Sequence, residues 1–168
     1  MIWFLVLALI ISSFWLVIGF MFYIFPLFFG APYEGSGKKK VEDIVKLANA
    51  KKGEKIVDLG SGDGRIVIAF AKNGVEAHGY EVNPFLVLAS KYKTRKLKNA
   101  KIHWKSFWKS DFGDYDVIVL FQYKKFMKKI EDKLKKEMKK SARIVSYHWK
   151  FPNLKIKKSI GDIYSYSP

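Results

Sequence analysis

The chain has 168 residues, with 31 Lys and Arg against 15 Asp and Glu for a net charge of +16, and no cysteine. That length holds one domain plus a short appendage rather than two full domains, and the missing cysteines exclude a disulfide-stapled scaffold. His78, His103 and His148 are scattered without metal-ligand spacing, so no metal is predicted; the lysine excess fits a solvated surface, attraction to anionic lipid or attraction to nucleic acid.

Residues 1–33 carry no charged side chain. Their core, 2–24, is nearly all Ile, Leu, Val, Phe and Trp and exceeds the ~20 residues needed to cross a ~30 Å hydrocarbon layer, which predicts a transmembrane helix within an anchor at 1–29. A cleaved signal peptide would want a basic start, a shorter apolar run and a small-residue cleavage site, and the segment has none of these. Ser12 and Ser13 can bond carbonyls of their own helix, and Pro26 marks the exit. Lys38, Lys39 and Lys40 follow the span and no basic residue precedes it, so the positive-inside rule predicts a single-pass membrane protein with its folded part in the cytoplasm. Residues 30–37 (GAPYEGSG) read as a turn-rich linker, and a folded domain is expected over 38–168.

Within that domain Val41, Ile44, Val45, Leu47 and Ala48 make one apolar helical face. Strands are expected at 55–59, 75–80, 100–104, 115–121 and 142–147, helices at 65–72, 84–97 and 124–140, and a closing antiparallel hairpin at 154–159 and 163–166 around Gly161-Asp162. Pro84 sits at the favoured first turn of its helix, and the apolar run YDVIVLF reads as a central strand covered on both faces. Phe126, Ile130, Leu134 and Met138 form the inward stripe of the lysine-covered helix at 124–140. Repeated β-α units imply a Rossmann-like, doubly wound α/β fold with a mainly parallel sheet of seven strands.

The stretch Val57-Asp58-Leu59-Gly60-Ser61-Gly62-Asp63-Gly64 carries the chemistry: an acid, a hydrophobe and alternating glycines close a strand-to-helix turn where backbone can approach a ligand. Glu81 ends the next strand at the distance where such folds place the acid that holds ribose hydroxyls. The third glycine comes one residue too early for a dinucleotide loop, and Asp58 and Asp63 would face the phosphates, which disfavours NAD. S-adenosylmethionine (SAM) fits better. It has no phosphate, and it presents an ammonium that wants carboxylates, a carboxylate that wants backbone amides and hydroxyls, and a ribose diol suited to Glu81.

These residues resemble the class I SAM-dependent methyltransferases from about Tyr33 onward. APYEGS, VDLGSGDGRIVIAFA, GYEVNP, YDVIVLF with FMKKIEDKLKKE, and ARIVSYHWKFP together resemble a narrower group, the small protein-lysine methyltransferases found as soluble archaeal and as membrane-anchored mitochondrial enzymes. The resemblance implies that Asp58, Gly60, Ser61, Gly62 and Asp63 surround the methionine end of SAM, that Glu81 with Val82 and Asn83 binds the ribose side, and that Tyr33 and Ser36 close over the cofactor. Ser106, followed by Phe107, stands where such enzymes usually carry an acid beside the adenine; a serine can still hydrogen-bond the base edge.

For the acceptor, Phe121, Gln122 and Tyr123 follow the fourth strand at the carboxyl end of the sheet, and Tyr33 and Trp149 are further candidates for lining a lysine channel. No side chain announces itself as a catalytic base. A nucleic-acid methyltransferase acting on base amines would carry an Asn/Asp-Pro-Pro-aromatic element where this chain reads Phe121-Gln122-Tyr123-Lys124. A lipid or quinone acceptor is suggested by the anchor alone, and a non-enzymatic module is disfavoured by the intact Asp58, Gly60, Gly62, Asp63 and Glu81. The expected function is methyl transfer to lysine side chains of membrane-associated proteins.

Overall fold

A computed structural model describes residues 2–20 and 37–167. The chain divides into two compact units between Glu34 and Gly35. The first holds α1 (Ile2–Gly19), eighteen residues without a charge, long and apolar enough to cross a membrane by length and composition. Ser12 Oγ donates to the Leu9 carbonyl at 3.0 Å, so the hydroxyl is satisfied within its own helix, as expected of a polar group in an apolar span. Pro26 and residues 30–36 of the predicted linker lie outside the described residues.

In the second unit α2 (Lys38–Ala48) precedes β1 (Lys55–Leu59), α3 (Arg65–Lys72), β2 (Glu76–Glu81), α4 (Pro84–Thr94) and β3 (Ala100–Trp104). Then come a 3-10 turn at Phe107–Lys109, β4 (Val117–Leu120), α5 (Lys124–Glu137), β5 (Arg143–Tyr147), β6 (Ile156–Ile160) and β7 (Ile163–Tyr166). The seven strands form one sheet in the order β3-β2-β1-β4-β5-β7-β6. The first five run parallel, and β7 inserts antiparallel between β5 and β6, so the sheet is mixed. The β6–β7 hairpin turns on Gly161-Asp162 as predicted, but its insertion order was not legible, because a local turn does not say which strand meets the existing edge.

Strand alternation sorts the core into two layers. Ile56, Val117 and Val119 face α2 and α3 with Ile44, Ala48, Ile66 and Phe70, while Val57, Leu59, Ile118 and Leu120 face α5 with Met127, Ile130 and Leu134. That double coverage is why β1 and β4 are apolar on both faces. The stripe of α5 is rotated from the predicted one: Met127 and Glu131 are buried with Ile130 and Leu134, and Phe126 and Met138 are half-buried at its flanks. Glu131 is admitted because Lys135 bonds it at 2.6 Å and the Asn153 N–H at 3.0 Å. Just over half of the expected element ends coincide with the observed ones, and the others shift by one to three residues. Helix α4 stops at Thr94, where the Leu97 N–H turns back to its carbonyl, and β4 pairs only from Val117 to Leu120. Phe121, Gln122 and Tyr123 therefore follow the last paired residue at the carboxyl edge.

Candidate active site

Chain direction in the sheet brings the carboxyl ends of β1, β2 and β4 together, and the glycine loop is built into that edge. Gly60 takes φ +89°, and the N–H groups of Gly60 and Ser61 both donate to the Tyr80 carbonyl, at 2.9 and 3.0 Å, clamping the loop to β2. On the other side Gln122 Nε2 donates to the Leu59 carbonyl at 2.8 Å and stands where a Cβ on Gly60 would lie 2.6 Å away. Below the loop Gly79 is needed for close approach: a Cβ there would lie 2.5 Å from Ser61 Oγ. The structure thus places Gln122 under the loop, as its support, with its amide buried.

Glu81 ends β2 and gathers three backbone donors. Its Oε2 accepts the Gly62 N–H at 2.9 Å, and its Oε1 accepts those of Val82 and Asn83 at 2.7 and 2.8 Å, so one carboxylate ties the loops after β1 and β2 together. Asn83 then caps α4, accepting from the Phe85 N–H at 3.0 Å. Asp63 is held by Arg65 at 2.8 Å and Lys93 at 2.6 Å; burial would raise its pKa, but these two cations outweigh it and hold the carboxyl well below the usual range. Asp58 is the opposite case. It is buried, and burial first, then the charges of Glu81 and Asp63, push it up to about 8. Ser61 Oγ is buried with no hydrogen-bond partner.

A buried acid with a raised pKa, a buried hydroxyl lacking a partner and a loop of close-packed backbone amides form a site short of a cation and of a polar partner. A sulfonium-bearing amino acid fits that set: Asp58 for the ammonium, the unpartnered Ser61 hydroxyl for the carboxylate, and Glu81 for the ribose. Beyond β3, Ser106 leads into the 3-10 turn, where Phe107 and Trp108 tilt against each other at 4.7 Å, and Trp104 Nε1 donates to the Val82 carbonyl at 3.1 Å. Tyr33 and Ser36 lie outside the described residues.

The β4–β5 side of the same edge is aromatic. Phe121 packs on Tyr147 at 4.4 Å between ring centroids, His148 on Trp149 at 4.6 Å, and Phe121 meets His148 at 6.4 Å. His148 sits at φ +71°, a left-handed position that a non-glycine residue rarely takes. Lys40 of α2 hydrogen-bonds the Tyr147 hydroxyl, and its ammonium stands 4.0 Å from the ring centroid. Asp162 approaches both Lys40 and His148, at 3.5 and 3.4 Å. Lys124 lies over Trp149 at 5.7 Å. Tyr123 is partly exposed at the start of α5. Phe121 and Trp149, both expected from sequence, are thereby brought together through Tyr147 and His148. Those two and Lys40 were missed. Tyr147 and His148 were hidden at the end of a plain apolar strand, and Lys40 belongs to a helix distant in sequence, so only its place over the Tyr147 ring in space marks it.

Residues 58–158 match the family model of the ANTKMT methyltransferase domain. The chain belongs to this family. The human lysine N-methyltransferase of the ATP synthase c subunit is 38% identical over 125 residues, covering 73% of this chain and 53% of that protein. Mouse adenine nucleotide translocase lysine N-methyltransferase is 39% identical over 131 residues, covering 76% and 57%. The chain thus spans about half the length of the curated relatives it matches. Among solved structures, an RNA methyltransferase from Salinibacter ruber in complex with S-adenosyl-L-homocysteine superposes with a TM-score of 0.75 at 21% identity, over 80% of this chain and 93% of that one. The fold is that of the class I methyltransferases. In this ANTKMT-type domain the matched segment begins at Asp58 itself and runs through the acidic loop and the aromatic cluster alike.

Proposed function

We propose that the chain methylates lysine side chains of membrane-associated proteins with SAM as donor, and that α1 holds it on the bilayer with the domain on the cytoplasmic side. The observation that carries this reading is the juxtaposition along one sheet edge: a carboxylate-lined loop suited to a cationic cofactor, and beside it an aromatic cluster on which a lysine ammonium, that of Lys40, already rests. The names of the relatives, which act on lysines of the ATP synthase c subunit and of adenine nucleotide translocase, support lysine as acceptor.

Bound in the loop, SAM would supply an electrophilic methyl group, which a neutral amine takes as the S–C bond breaks and the neutral thioether leaves. The rest falls to the chain's own residues. Asp58 and the Ser61 hydroxyl hold the amino-acid end, in the space that Gly60 and Gly62 leave free of side chains, Glu81 with Val82 and Asn83 the ribose, and Ser106 with Phe107 the base. Phe121, Tyr147 and Trp149 align the entering side chain, which matters because a displacement is governed by approach geometry. The acceptor must shed a proton from a group of pKa ~10.4, and the cations Lys40 and Lys124 beside the cluster favour that loss.

Incubating the full chain with tritiated SAM and native membranes, then separating protein, lipid and nucleic acid, tests the reading. Enzyme-dependent methyllysine is expected. Label confined to lipid or RNA, with no methyllysine in any protein, overturns it.

A further inference from the structure

Residues 82–110 contain no acidic side chain, yet they carry eight cations: Lys91, Lys93, Arg95, Lys96, Lys98, Lys101, Lys105 and Lys109. The structure shows where this charge goes. Helix α4 turns Leu86, Val87, Ser90 and Thr94 inward, so Leu88, Lys91, Tyr92 and Arg95, at helical spacing, make its outward stripe. Leu88 is 70% exposed and Tyr92 65%. Trp104, 66% exposed, ends the neighbouring strand β3. It shares the sheet face of Ile102, which with Ser90 of α4 adjoins Gly64, and its indole N–H is bonded to the Val82 carbonyl at the entrance to α4. Strand β3 is the edge of the sheet, so this face is the rim of the domain.

Single exposed apolar side chains are ordinary, but Leu88 and Tyr92 lie one helical turn apart on the same outward stripe, with Trp104 on the adjoining strand. Here they are interleaved with cations, of which Lys93 is paired with Asp63 and Lys101 with Glu76. Arg95 stacks its guanidinium on Tyr92 at 3.8 Å, and Lys91, Lys96, Lys98 and Lys105 are exposed around them. Tyrosine and tryptophan favour the headgroup layer, where a ring meets hydrocarbon and a polar tip meets water, and lysines favour an anionic leaflet. Nucleic acid would use the rings and the charge, whereas Leu88 adds an exposed aliphatic surface that lipid acyl chains match directly.

We infer that the outer face of α4 with Trp104 of β3 docks on an anionic lipid bilayer, as a second membrane contact separate from α1. This contact is independent of the acceptor chemistry. Its consequence is orientation: a docked rim holds the carboxyl edge of the sheet in a fixed attitude to the bilayer.

The chain has no cysteine, so a single one reports cleanly. Leu88→Cys in the full chain carries an environment-sensitive fluorophore, with Lys136→Cys on α5 as control, in nanodiscs of phosphatidylcholine alone or mixed with phosphatidylglycerol, each containing a quencher-bearing lipid. Quenching of the Leu88 label is expected only in anionic discs, weakening at high salt, with the control label unaffected. Combined Lys91→Glu, Arg95→Glu and Lys96→Glu should lower the docked-to-undocked ratio by at least about a hundredfold while SAM affinity is unchanged. Equal quenching in neutral and anionic discs, equal quenching of both labels, or an oligoribonucleotide that shifts the Leu88 label in neutral discs overturns the inference, the last in favour of nucleic acid.

Discussion

On the β1–β2 side, the carboxyl edge of the sheet is closed by backbone: Glu81 collects three N–H groups, Tyr80 accepts two more, and Gly60 and Gly79 leave no room for a methyl group. On the β4–β5 side it is closed by rings and long side chains brought from α2, β5 and the final hairpin. On the proposed function the difference separates two tasks. A cofactor of constant shape suits a rigid backbone cradle, where each group is over-determined. An acceptor presented by another macromolecule suits side chains, which can be exchanged without rebuilding the loop. Variants on one side should therefore disturb cofactor binding and fold, and variants on the other only acceptor use.

Glu81→Ala should have the largest effect. It leaves the N–H groups of Gly62, Val82 and Asn83 without their acceptor and should weaken SAM binding about a hundredfold or more by calorimetry. Wild-type affinity in this variant would remove the carboxylate from the cradle. Gly79→Ala should come next, since the added methyl must displace Ser61 or Val67. A loss of about 1–3 kcal/mol in denaturant unfolding is expected, with SAM affinity falling alongside, and an unchanged midpoint would show that the loop is not packed as described.

Phe121→Ala should divide the two halves. Its expected signature is about a tenfold fall in kcat/KM for a lysine-containing acceptor with SAM affinity unchanged, and a matching loss of SAM affinity would erase the distinction. The smallest effect is in pH. Because burial and its acidic neighbours hold the Asp58 carboxyl at about 8, its contribution to the stability of the free protein is complete below the ordinary range near 3.8 and is lost as pH rises through about 8. A bound cation favours the ionised form, so SAM affinity should climb over the same interval, by about fivefold from pH 7 to pH 8. Calorimetry in buffers of different ionisation enthalpy should detect proton release, and Asp58→Asn should abolish both trends.

Two lysine-rich regions extend the lesson. On α5 the acids are interspersed: Lys135 bonds Glu131, Lys128 bonds Asp132 and Lys133 bonds Glu137, each one helical turn apart. Along α4 and β3 no acid intervenes, and the net charge is left to act outward. Composition alone joins the two regions in one number; spacing already distinguishes them.

The sequence by itself determined the layered α/β fold, the strand-loop-helix at 55–72 and the acid at Glu81, because these rest on local periodicity and on glycines whose spacing is a backbone requirement. It also showed an apolar segment long enough to span a bilayer, since hydropathy needs no partner to be read. Only the tertiary structure decided that Asp63 is neutralised by Lys93, that Gln122 props the cofactor loop, that Glu131 is a buried acid in an otherwise apolar stripe, and that Lys40 rests on Tyr147. Each of these pairs residues thirty, sixty-three, twenty-two and a hundred and seven positions apart. The energy of a charge, an amide or a ring depends on which neighbour excludes water from it, and at such separations that neighbour is chosen by the packing of the sheet and not by the pattern along the chain.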